Sequence, residues 1–226
     1  SLTSGMRSNL VSLQSTVELL NRTQERLASG KRVNSPLDNA TNYFVAKSHM
    51  DRAEDLSVRK DGMGEAIQTV KSANEGITAI TDLIASAKGI AQSALSAGTT
   101  ERATLATQYG AIRTQIDQLA EDSGYKGTNL LDTGTLEVKF NEDGTNTLSI
   151  TGFDASTSGL AIGAADNSWA GDTDINAAIT DLDAALTTLR SEAKTLSSNL
   201  NIITTRNSFT QGMINVLTEG ATSLTA

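Results

Sequence analysis

Near residue 172 of the 226-residue chain, four oxygen-bearing side chains have the spacing of a calcium loop. Asp172, Asp174, Asn176 and Asp183 fall at positions one, three, five and twelve of an EF-hand count, where alternate residues turn their oxygens onto one cation. Position six is Ala177, whereas the sharp turn of such a loop needs glycine. The same acids are what the positive end of a helix recruits, so the stretch is read as a helix start. His49 is the sole histidine and cannot form a His-x-x-x-His pair; beside Lys47, Asp51 and Arg52 it reads as part of a solvated helix face. Trp169, in "NSWAGD", could anchor a ligand or partner, but packing over a neighbouring hairpin is the preferred reading. The Lys31-Arg32 pair could meet a phosphate. With 18 basic residues in the whole chain, no interleaved aromatics and no Gly-rich loop before a helix, it points to none.

Composition narrows the chemistry further. There is no cysteine, which excludes a disulfide, a thiolate nucleophile and a Cys-based metal cage. One histidine leaves no readable Ser/His/Asp arrangement. No catalytic residue, metal site or cofactor is predicted, and the chain is not expected to be an enzyme. A net charge of −8 argues against nucleic acid or an anionic membrane as partner. No apolar run is long enough to span a bilayer, and "SLTSGMRSNL" lacks the basic start and apolar stretch of a secretory signal. A chain beginning at serine is expected to be processed or trimmed.

At 38% hydrophobic and 4% aromatic, the sequence has little bulk for a round core, but its many small residues suit slender, closely packed helices. Spacings of three and four reveal them. One ladder runs Met6, Leu10, Leu13, Val17, Leu20, Gln24, Leu27; another Met63, Ala66, Val70, Ala73, Ile77, Ile80, Ile84, Ala87, Ala91, Ala94; a shorter one Leu105, Tyr109, Ile112, Ile116, Leu119. The longest is Ile175, Ile179, Leu182, Leu186, Leu189, Ala193, Leu196, Leu200, Ile203, Asn207, Thr210, Ile214, Leu217, with only Asn207 and Thr210 polar. Its seven-residue repeat predicts coiled-coil-like packing with a left-handed supercoil, in a helix about 65 Å long. The expected fold is mainly α: long antiparallel coiled-coil-like helices forming a rod, with a small β-hairpin region packed on it.

Punctuation supports these boundaries. Gly30 suits a left-handed helix exit, Ser35-Pro36 forbids helix at Ser35, and Asp38 or Asn39 can cap the next start. "SAGTT" (96–100) separates two helices, with Thr99 or Thr100 as candidate cap, and "DSGYKG" (122–127) ends the third. From 128 the period changes. "TLEVKF" (135–140) and "TLSI" (147–150) flank "NEDGTN" (141–146), a hairpin signal, and "STSGLAIG" (156–163) could add a short strand. The expected divisions are 1–39 for a first helix and connector, 40–127 for rod helices, 128–174 for the hairpin and loops, and 175–226 for the last helix.

The connector carries a resemblance. "ERLASGKRVNSPLDNA" (25–40) closely resembles the N-terminal signature of bacterial flagellins, commonly ERLSSGLRINSAKDDA, matching at Glu25, Arg26, Leu27, Ser29, Gly30, Arg32, Asn34, Ser35, Asp38 and Ala40. "GITAITDLIASAKGIAQSAL", "QIDQLAEDSGYKGTNLL" and "LRSEAKTLSSNLNIITTRNSF" follow in the family's order. The resemblance implies a structural subunit of the flagellar filament, secreted to the bacterial flagellum. Its implied partners are further copies of itself, the flagellar export apparatus and hook-associated proteins, with an innate immune receptor as a possible further one. It implies no nucleic acid and no membrane. A hook–filament junction protein and a surface-exposed adhesin or ligand-binding protein are the alternatives.

Within the family the connector joins the helix lining the filament core to the rod, and Pro36 stands where alanine is usual, which should stiffen the joint. Met6, Leu10, Leu13, Val17, Leu20 and Leu27 are implied to pack between subunits. The variable outer domains are almost absent, implying a minimal flagellin. The family pattern continues beyond "TEGATSLTA" into a helix that pairs with the first, so this form is expected not to polymerise normally. The animal receptor typically reads an arginine and a glutamate where this chain has Ala85 and Gln108, with Leu83 retained; losing a hot-spot arginine costs ~2 kcal/mol or more, so weak recognition is expected.

Overall fold

The computed structural model describes residues 3–226. Four helices, α1 (Ser4–Ser29), α2 (Ala40–Leu95), α3 (Thr99–Asp122) and α4 (Asp172–Thr225), are joined by a connector after α1 and a β-containing segment after α3. Two strands, β1 (Thr135–Lys139) and β2 (Thr147–Thr151), form one antiparallel hairpin in which Leu136 faces Ile150 and Val138 faces Leu148. The chain divides into two compact units, one of residues up to Val58 with Thr210–Ala226, the other Arg59–Phe209; α2 and α4 contribute to both.

In the unit Arg59–Phe209 the ladders become the core. Every rung of the α2 series from Met63 to Ala94 is buried, and Tyr109, Ile116, Ile175, Leu182, Leu189, Leu196 and Ile203 are buried with them. Half of these α2 rungs are alanine, which lets neighbouring backbones approach closely and explains how so few aromatics suffice. The two polar rungs of α4 have their own reasons. Asn207 Nδ2 donates to the Lys60 carbonyl at 3.0 Å. Thr210, in the other unit, is buried. At 54 residues α4 is about 80 Å long, longer than its ladder implied, because it starts at Asp172 and runs to Thr225. In the smaller unit, Ala53 and Leu56 of α2 pack with Leu217 of α4.

The hairpin covers this core with Val138 and Ile150, the buried residues of the two strands. Its base is tight. Gly152 donates to the Gly134 carbonyl at 2.7 Å and Phe153 to the Leu130 carbonyl at 2.9 Å. A Cβ at Gly152 would lie 2.4 Å from Leu130 O and 2.7 Å from Gly134 O, so only glycine fits.

Two local expectations are corrected, and a third is narrowed to one residue. Residues 156–163 form a turn, not a strand. Leu160 donates to Ser156 O, Ile162 to Thr157 O at 2.8 Å and Ala161 to Ser158 O at 3.1 Å, a single helical turn closed by Ala161 at φ 54°. Such 6→1 and 5→2 bonds end a helix, and they take the donors a strand would need. The start of α3 is flanked by Gly98 with no side-chain cap; Thr99 is already helical. At the start of α2 it is Asn39 that caps, its Oδ1 accepting from Asn42 N at 3.0 Å.

Trp169 is fully buried, but its ring contact is with Tyr109 of α3, centroids 4.9 Å apart and planes tilted by 50°. It ends a short 3₁₀ segment, Asp166–Trp169, in which Asn167, Ser168 and Trp169 have φ of 49°, 52° and 59°. Left-handed backbone costs roughly 1–2 kcal/mol per residue, so three in a row cost about 3–6 kcal/mol. The buried indole Nε1 has no hydrogen-bond partner among the described residues, a further cost of about 1–3 kcal/mol. Burial of a tryptophan, 150–250 Å² at ~25 cal/mol/Å², returns roughly 4–6 kcal/mol. The two sides nearly cancel.

Candidate functional site

Two features of the smaller unit stand apart from core packing: α1 and the connector. No residue of α1 is buried. Met6, Leu10, Leu13, Val17 and Leu20 form an exposed stripe at three- and four-residue spacing, and Leu27 beyond them is 85% exposed. Val11 and Leu19 widen the apolar area beside the stripe. A helix this long with an apolar face and nothing buried presents a surface for another helix. Burying what remains exposed of the five stripe residues would stabilise a contact by on the order of 5 kcal/mol.

The connector is held by Asp38. Its Oδ2 accepts from Asn34 N, Ser35 N and Ser35 Oγ, each at 3.2 Å, while Oδ1 accepts from Arg26 Nη2 at 3.3 Å. The Asn34 amide is the largest influence holding the Asp38 carboxyl below its usual range; burial opposes this, and the Ser35 amide, Arg26 and the Ser35 hydroxyl add to it. Gly30 ends α1 at φ 67°, a left-handed cap that a side chain would strain. Lys31 N donates to Ser29 Oγ at 3.2 Å and Asn34 Nδ2 to Lys31 O at 3.2 Å. The connector then meets the end of α4. Arg32 N and Val33 N both donate to Thr225 O, at 2.7 and 3.1 Å, and Asn42 Nδ2 donates to Leu224 O at 3.2 Å. Val33 is buried there, whereas Pro36 is exposed and Leu37 is 97% exposed.

The structure thus gathers Arg26, Ser29, Asn34, Ser35 and Asp38 into one bonded group, with Arg32 engaged through its backbone and Leu27 and Pro36 facing solvent. Sequence reasoning missed the part played by Thr225 and Asn42, since a bond across 182 residues leaves no local pattern. Between the connector, α2 and α4 lies an open cavity of about 380 Å³ reached by Lys31, Tyr43, Lys47, Met50 and Thr222.

The remaining candidate residues lie apart. Asp172 and Asp174 occupy the first turn of α4, Asp172 paired with Arg102 at 2.7 Å, and Asp183 pairs with Lys88 further along. Among the described residues no group of three or more acidic, His or Cys side chains is placed to hold a metal ion. His49 is half-buried, not solvated: its Cδ2 lies 3.8 Å from where a Cβ at Gly220 would stand. Leu83 is half-buried, Ala85 and Gln108 exposed. No described helix is long and apolar enough to cross a membrane.

The family model for the bacterial flagellin N-terminal helical region matches residues 3–135, more than half of the chain. The chain belongs to the bacterial flagellin family. Flagellin FljO of Caulobacter vibrioides is 28% identical over 145 residues, covering 62% of this chain and 53% of that protein. Flagellin FljK of the same organism is 27% identical over 166 residues, 69% of this chain and 61% of its own length. A flagellin of Brucella melitensis is 28% identical over 129 residues, 57% and 46% of the two chains. The chain therefore spans roughly half the length of these flagellins. The crystal structure of Bacillus cereus flagellin matches in fold with a TM-score of 0.58 at 18% identity, over 66% of this chain and 88% of that one. In this flagellin-family chain the segment between α3 and α4 holds one two-stranded sheet among the described residues.

Proposed function

We propose that this chain is a structural subunit of the bacterial flagellar filament, secreted to the flagellum and acting through packing surfaces, not through catalysis. The observation that carries the reading is the exposed apolar stripe of α1 in a member of the flagellin family. Met6, Leu10, Leu13, Val17 and Leu20 give that surface the spacing of a helix–helix seam. The connector, residues 26–38, fixes the direction in which α1 leaves the rest of its unit, and Asp38 and Gly30 are its anchoring residues. Other copies of the chain are the principal partner. The export apparatus and hook-associated proteins are the partners on the way to and at the base of the filament. Recognition by an animal flagellin receptor is weak, since Ala85 and Gln108 offer neither the charge nor the reach of an arginine and a glutamate.

Electron microscopy of this chain extended by a family-type C-terminal helix, incubated at high concentration with short filament seeds, tests the reading. The extended chain with no substitution lengthens the seeds into uniform filaments. Leu13→Glu combined with Val17→Glu stops elongation while leaving far-UV circular dichroism nearly unchanged, because neither side chain is buried in the monomer. Elongation by the double variant at the wild-type rate would remove α1 as the assembly surface.

A further inference from the structure

We propose that residues 166–169 form a strained latch that opens locally, swinging Trp169 out of its place against Tyr109 while the helices stay folded. Three observations converge on this turn. Asn167, Ser168 and Trp169 stand consecutively in the left-handed region, which only asparagine among them tolerates readily. Trp169 is fully buried, yet its indole N–H has no acceptor among the described residues. The ring that receives it, Tyr109, is itself fixed by donating its hydroxyl to Gly163 O at 3.1 Å, so the seat stays formed when the tryptophan leaves.

Opening is local because few bonds hold the turn. Ser168 N donates to Ala165 O at 3.2 Å and Ala170 N to Asn167 O at 3.1 Å, and Asn167 Nδ2 reaches Asp174 at 3.4 Å. All of these are short-range and solvent-accessible on the side of Asn167 and Ser168, which are exposed. Relaxing the backbone to ordinary right-handed or extended values removes the strain, lets the indole N–H bond to water and loses the aromatic contact. Strained backbone held in place by one side chain marks switches and clamps, and here the clamp is the indole ring. The open state uncovers the Tyr109 ring and frees the segment leading into α4, whose first turn stays tied to α3 through Asp172 and Arg102. Tyr109, Gly163 and the whole turn lie in the unit Arg59–Phe209, so the latch works in a single chain and its test needs no filament.

Trp169 is the only tryptophan in the sequence, so its signals report this turn alone. The experiment measures hydrogen exchange of the indole N–H by NMR and acrylamide quenching of tryptophan fluorescence, below the global melting temperature and alongside far-UV circular dichroism. With no hydrogen bond to break, indole exchange is slowed by burial only and reads opening directly. Expected are indole exchange at least tenfold faster than that of the α2 core amides, and quenching that rises with temperature before any loss of helix. Ser168→Gly relieves one left-handed residue and should slow indole exchange about five- to thirtyfold. Two results overturn the proposal: indole exchange and quenching in the wild type that follow global unfolding, or Ser168→Gly that leaves opening unchanged or increases it. The wild-type measurement stands even if the variant folds poorly.

Discussion

Gly152→Ala puts the hairpin's attachment to the helices to a quantitative test. The added methyl would sit 2.4 Å from Leu130 O and 2.7 Å from both Gly134 O and Leu130 Cα, all backbone atoms that cannot rotate away. Relief requires the chain to move by about 1 Å, at a cost of roughly 1–3 kcal/mol for overpacking. That movement pulls on the bonds Gly152 N–Gly134 O and Phe153 N–Leu130 O, each worth about 1 kcal/mol. Alanine restricts the unfolded chain and returns only about 0.4–1 kcal/mol. The net loss is about 2–4 kcal/mol, a fall in Tm of roughly 5–15 °C by calorimetry. Gly64→Ala on α2 is the matching control: nothing lies within 4 Å of its Cβ position, so helix propensity should stabilise it by about 1 kcal/mol. A Gly152→Ala protein melting within a degree of wild type, with the control behaving as stated, would refute the reasoning that this backbone approach is rigid.

Other outcomes follow from the same geometry. Burial is the main cause pushing the Tyr109 hydroxyl up to about 12, with Asp181 adding to the rise and Arg113 opposing it. The neutral phenol is therefore favoured in the folded state, and its contribution is complete below pH ~10 and lost between about 10 and 12. Tyr109→Phe should flatten that limb of the curve of Tm against pH, and an unchanged limb would place its origin elsewhere. Arg102 donates to Ala97 O, Leu95 O and Asp172 Oδ1, tying the end of α2 to the starts of α3 and α4. Arg102→Ala should cost about 2–4 kcal/mol in urea denaturation, and Arg102→Lys should recover little of it because one ammonium cannot span the three acceptors.

The long helices were legible because their burial is periodic. Met63 to Ala94 and Ile175 to Leu217 announce themselves by spacing, and no long-range partner had to be known to read it. The stretch of α2 before Met63 was harder: Ala46, Ala53 and Leu56 are its buried apolar residues, too sparse for a ladder. The hairpin was legible from alternation around an Asp-Gly turn. The 156–163 turn was not, because "GLAIG" is as apolar as a strand and the deciding bonds, Ile162 N to Thr157 O among them, depend on a left-handed Ala161 that composition disfavours. Trp169 was foreseen as a packing residue, but its partner on α3 lies sixty residues away in sequence. At the connector, Gly30 and Asn39 were readable as caps by residue type. The convergence of four donors on Asp38 was not, since it depends on how the loop folds back on itself.

The two amides that meet Thr225 O belong to the main chain of Arg32 and Val33, so these two bonds do not depend on the side chains there, although the buried Val33 adds packing of its own. Such a joint is robust to mutation in an uneven way. Positions 31 and 32, whose side chains are exposed, can accept many residue types without altering the path of the chain. Proline at 32 or 33 is the exception, because it alone deletes a donor. The surface charge at positions 31 and 32 can therefore drift over generations while the angle of the elbow is inherited unchanged.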